Sequence, residues 1–166
     1  MGMVMIGLRL SAEQLQAVLD DQARVAKLVY GDLDDDDADM PEPDLDLDKS
    51  WHGLHFLLTG TAWDIGEGAG AAILGGDPVG EDNGYGVPSL IRPGEVRTIS
   101  AALEALDVDT LRARYRPKEL AAADIYPDIW DESDVFETYL APNFLELRRF
   151  YRTAAAHDQA VLLAIT

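Results

Sequence analysis

Cysteine is absent from the chain, which excludes disulfides, zinc fingers and thiol catalysis. Positive charge is scarce: 13 Lys and Arg stand against 31 Asp and Glu, for a net charge of −18. Coulomb repulsion disfavours contact with a nucleic acid backbone or an anionic membrane surface, and favours a basic protein partner or cations. Long apolar runs are missing as well. None approaches the roughly 18 residues that a membrane span needs. The opening MGMVMIGLRL lacks a basic start and is broken at Arg9, so it does not read as a signal peptide. Together these absences predict a soluble, cytoplasmic protein that binds neither nucleic acid nor membrane.

What is present suffices for a folded domain. The 166 residues are 48% hydrophobic, enough for one domain with its own core. Residues 3–10 read as a strand. Ser11 with Gln14 forms a capping box for a helix that carries Leu15, Val18 and Leu19. A second helix is predicted from Asp21 to Val29. Residues 32–48 then hold ten acids and no base, interrupted by Pro41-Glu42-Pro43. Such a run repels itself and cannot form a regular helix, so residues 31–48 are expected to be a mobile acidic loop.

Asp48 is the expected N-cap of a helix over 49–59, whose stretch WHGLHFLLTG is apolar almost all round and belongs in the interior. AAIL (71–74) and VPSLI (87–91) read as short strands, separated by a glycine-rich loop over 75–86. Pro93 suits the first turn of a helix reaching Leu106. Short helices follow at 108–115 and 118–123, then a turn-rich segment over 124–133. A long helical pattern runs from Val135 to Ala156, with Pro142 as its expected break. AVLLAI (160–165) closes the chain as a strand. The expected fold is α/β (α+β mixed), a sheet of four to five strands covered by helices, with the terminal strands as candidate neighbours.

Several segments together resemble one known family. MVMIGLRLS, LDLDKSWHGLHFLLTG, LGGDPVGEDNGYG, ADIYPDIW and the final strand resemble the YfbM-like proteins, a bacterial domain of unknown function. The resemblance implies a single compact α/β domain over 1–166 with a mixed sheet. It implies no activity. The aspartate run is unusually acidic for that family, so any role for it would be peculiar to this chain.

The chemistry-bearing candidates are few. His52 and His55 lie at helical spacing, yet a zinc-protease helix needs a glutamate where Gly53 stands. His55 shares a stripe with Trp51, Leu54 and Leu58, which predicts burial with one hydrogen bond. His52 lies at the edge of the stripe and is the better placed to reach a pocket. GGDPVGEDNGYG lacks the Gly-Lys-Ser/Thr ending of a phosphate loop, and its Asp77, Glu81 and Asp82 would repel phosphate. Asp44, Asp46 and Asp48 match the start of a calcium loop, but Lys49 and His55 occupy the positions that need Gly and Glu. No metal site and no cofactor are expected.

Two function classes remain open. The first is a non-enzymatic acidic module, inhibitor- or immunity-like, that offers Asp34, Asp35, Asp36 and Asp37 to a basic protein. The second is a small-ligand binder or enzyme with a pocket built from His52, His55, Glu81, Asp82, Tyr85, Asp124, Tyr126 and Asp128.

Overall fold

A computed structural model describes residues 2–166. The chain folds as β1 (Met5–Leu10), α1 (Ala12–Asp20), α2 (Arg24–Tyr30), β2 (Leu45–Asp48), α3 (Trp51–Thr59), β3 (Asp77–Pro78), β4 (Ser89–Ile91), α4 (Pro93–Glu104), α5 (Val108–Arg114), α6 (Pro117–Ala122), α7 (Ala141–Ala156) and β5 (Ala160–Ile165). The five strands form one sheet in the order β2-β1-β5-β4-β3. Every neighbouring pair is antiparallel, so the sheet is not the mixed one expected, although the α/β class and the strand count stand.

The terminal strands are neighbours, paired residue for residue from Met5↔Ile165 to Leu10↔Ala160. β5 is central and covered on both faces. Val161 and Leu163 enter the larger core with Trp51, Phe144, Leu147 and Phe150. Ala160, Leu162 and Ala164 enter a smaller core with Val18, Val25 and Val29 of α1 and α2. A doubly covered strand needs apolar residues on both faces, which accounts for the unbroken run AVLLAI.

Three local expectations change. The acidic run does not stay a loop to residue 48, because LDLD forms edge strand β2. Leu45 and Leu47 point into the larger core, while Asp46 and Asp48 face solvent. AAIL is not a strand: Gly68–Ala71 is a short 3-10 turn, and the extended piece is Asp77–Pro78, inside the expected loop. Gly75 accepts this tight path because it has no Cβ, which would collide with the Ala71 carbonyl oxygen. The long C-terminal helix begins with a π turn, Phe136–Leu140, in which the Ala141 N–H reaches back to the Phe136 carbonyl. Pro142 has no N–H to give, and the wider turn accommodates it without ending the helix.

α3 begins at Trp51, with Ser50 rather than Asp48 at its N-cap, and its flanks are packed. Gly53 is the point of closest approach. A Cβ there would lie 2.6 Å from Cη2 of Trp130 and 3.1 Å from Cδ2 of Leu140. Gly53→Ala should therefore destabilise, although alanine normally favours a helix by about 1 kcal/mol. Overpacking costs about 1–3 kcal/mol, so net of that gain the urea midpoint should fall by an amount worth about 1 kcal/mol, and up to about 2. An unchanged or raised midpoint would show that the Trp130 ring moves aside freely.

Candidate functional site

α3 carries both central histidines into the interior. His52 is 1% exposed and His55 is fully buried. The His52 Nδ1 accepts from the Tyr126 backbone N–H at 2.9 Å. Its proton therefore sits on Nε2, which donates to the Ala62 carbonyl at 2.9 Å. The ring stacks on Trp51 with centroids 4.9 Å apart, and lies tilted against Trp63 at 4.4 Å. Both nitrogens join backbone segments, so His52 functions as a strut between α3, the 61–65 turn and the segment at Tyr126, not as a group open to a pocket.

His55 donates from Nε2 to the Asp64 carbonyl at 3.0 Å, and its buried Nδ1 has no hydrogen-bond partner. Burial pushes the His52 imidazole below its ordinary range, against the bond to Ala62. Burial likewise lowers His55, opposed by the Asp64 carbonyl and carboxylate and reinforced by His52. Protonated His52 would aim a second donor at the Tyr126 N–H. Protonated His55 would bury a donor without a partner.

The other residues of the expected pocket separate. Tyr126 stays with the histidines: its hydroxyl accepts from the Met3 N–H at 3.0 Å, while Trp51 donates to the Met3 carbonyl at 3.0 Å. Asp124 is exposed, with φ +53°, and ends α6 in a left-handed cap. The Asp124 and Ile125 N–H groups bond the Ala121 and Leu120 carbonyls, the two bonds of a Schellman motif. Asp128 is also exposed. Tyr85 lines a small cavity of about 60 Å³ near Met5 and Ile165. Glu81 and Asp82 border a groove with α2 and Leu33, beside the acidic segment rather than the histidines.

The acidic run divides at Pro41-Glu42-Pro43. Its later acids are built into the framework. Asp44 accepts from the Arg9 N–H at 2.8 Å, Asp46 from the Asp48 N–H at 2.8 Å, and Asp48 from the Tyr139 hydroxyl at 2.7 Å. Residues 32–40 are exposed throughout. Among the described residues, the one base paired to that earlier half is Lys27, 3.0 Å from Asp32. Leu33 and Met40 are 75% and 70% exposed within it. These two apolar side chains were visible in GDLDDDDADM, and their placement among repelling carboxylates was the signal to use. Trp63, 61% exposed above His52, gave no such signal.

The profile of the family described as Domain of unknown function (DUF1877) matches residues 1–164. Protein YfbM of Escherichia coli (strain K12) is 32% identical over 108 residues, which span 63% of this chain and 64% of YfbM. The match thus covers just under two thirds of that relative. The crystal structure of YfbM from Escherichia coli, described as a protein of unknown function, aligns with a TM-score of 0.73 over 99% of this chain and 100% of that one. At 23% identity, that likeness concerns the fold. No helix among the described residues is long and apolar enough to cross a membrane.

The buried histidines predict acid sensitivity. Their folded pKa values lie below the unfolded value of 6.5, so the unfolded chain binds more protons as pH falls past that point. Stability from urea unfolding should be level above about pH 7.5 and decline below about 6.5. His55→Gln should make the decline shallower. Equal stability at pH 7.5 and 5.5 would overturn this account.

Proposed function

This chain belongs to the DUF1877 family, a domain of unknown function, and on that footing we propose that it is a non-enzymatic binding protein that captures a basic protein partner. The observation behind this reading is the exposed half of the acidic run. Six aspartates between Asp32 and Asp39 lie in solvent with two exposed apolar side chains, Leu33 and Met40. Crowded like charges repel, and an opposing basic surface relieves that repulsion while steering the encounter. Apolar side chains among them supply dry contact area, as in the core of an interface. The alternative, a small-ligand binder or enzyme working through His52 and His55, has less behind it, because His52 directs both nitrogens to backbone groups.

The test is affinity capture with the wild type and with a variant carrying Asp34→Asn, Asp35→Asn, Asp36→Asn and Asp37→Asn, whose fold is checked by circular dichroism. The wild type should retain a basic protein in stoichiometric amount at low salt. The variant should lose it. So should the wild type in about 1 M salt, where the screening length falls to about 3 Å. Retention of the same proteins by both forms, insensitive to salt, would refute the reading.

A further inference from the structure

The groove bordered by Glu81 and Asp82 has a volume of about 340 Å³, at the small end of ligand-site sizes. Val25, Ala26 and Val29 of α2 and Pro88 form its apolar side. Its walls are tied together. The Asn83 amide bonds the Tyr30 hydroxyl, and also the Ile165 carbonyl at 2.8 Å. The Gly80 N–H bonds the Gln22 side chain at 3.1 Å. Leu33 also lines the groove and carries it into the acidic segment.

Charge decides what fits. Glu81 and Asp82 are exposed, and among the described residues neither has a base within ion-pair distance. Of the bases on the adjoining face of α2, Lys27 is engaged with Asp32 at 3.0 Å, and Arg24 lies 4.0 Å from Asp21. An acidic or neutral amphipathic ligand would leave this rim unneutralised. A ligand that is only charged would leave the apolar side wet. We propose that the groove receives an amphipathic basic segment of the partner, and this rests on the chain being an acidic capture protein. Apolar side chains of that segment occupy the α2 side. Its lysines or arginines meet Glu81, Asp82 and Asp34, the aspartate beside Leu33 that is unpaired among the described residues, with their aliphatic stems lying along the apolar surface.

The experiment titrates two synthetic peptides of equal length and charge into the full chain at low salt, followed by calorimetry. One combines lysine with serine, the other lysine with leucine at helical spacing. The lysine–leucine peptide should bind the wild type at least about tenfold more tightly, the gain from burying one or two leucine side chains. Ala26→Trp, at an exposed position of α2, should reduce that advantage to about twofold or less by filling the groove. Glu81→Lys, on an exposed turn, should weaken the lysine–leucine peptide and gives a second variant should Ala26→Trp fail to fold. Equal affinity for the two peptides, or an advantage that survives both substitutions, overturns the groove. In either case, salt-sensitive lysine–serine binding that is lost on neutralising Asp34–Asp37 leaves the capture reading standing. Failure of both peptides to bind at low salt overturns both.

Discussion

The rest of the structure depends on the pairing of β1 with β5. It joins the two ends of the chain over six residues in register, and it places β5 in the middle of the sheet, out of water on both faces. A strand in that position needs a layer on each side. α3, α4 and α7 provide one, and α1 with α2 the other. The unequal layers leave different surfaces. The thick side buries the histidines and most aromatics, whereas the thin side is a helix pair with grooved, charged surroundings.

The sequence was legible wherever one local cause decided the outcome. The Ser11–Gln14 capping box, Pro93 at a helix start and the apolar run of β5 all appear where short-range chemistry predicts them. It was not legible where a distant partner decided. LDLD becomes a strand because β1 offers it an edge, against its own charge repulsion. AAIL is as apolar as a strand, but the glycines on either side let it turn against α4 and α3 instead. His52 shows the same limit. Its position at the edge of an apolar stripe suggested access to a pocket. What closed it off was Tyr126, 74 residues away, together with an unforeseen lid in Trp63.

The candidate site was readable as residue types and not as an arrangement. Glu81 and Asp82 were picked out together with the histidines, because these polar and aromatic residues cluster in the segments that carry the family resemblance. The fold places them across the sheet from those histidines, next to α2 and Leu33. Two of the acids assigned to a pocket thus line the same groove as Leu33, the apolar side chain next to the aspartates assigned to a partner.

The division of the acidic run supplies the last link. Local composition is nearly uniform from residue 32 to 48, yet the physics of its two halves differs. Asp44 holds the Arg9 backbone and Asp48 holds Tyr139, so the later half is fixed to the sheet. At the other end, the Gly31 N–H bonds the Lys27 carbonyl at 2.9 Å and fixes the exit from α2. The exposed aspartates therefore lie on a strap anchored at both ends. Fixed ends lower the entropy lost when such a strap is ordered by a partner, and they hold its charge beside α2. Under the proposed capture, a free acidic tail of the same composition would attract a basic surface equally well, but it could not orient that surface toward the groove.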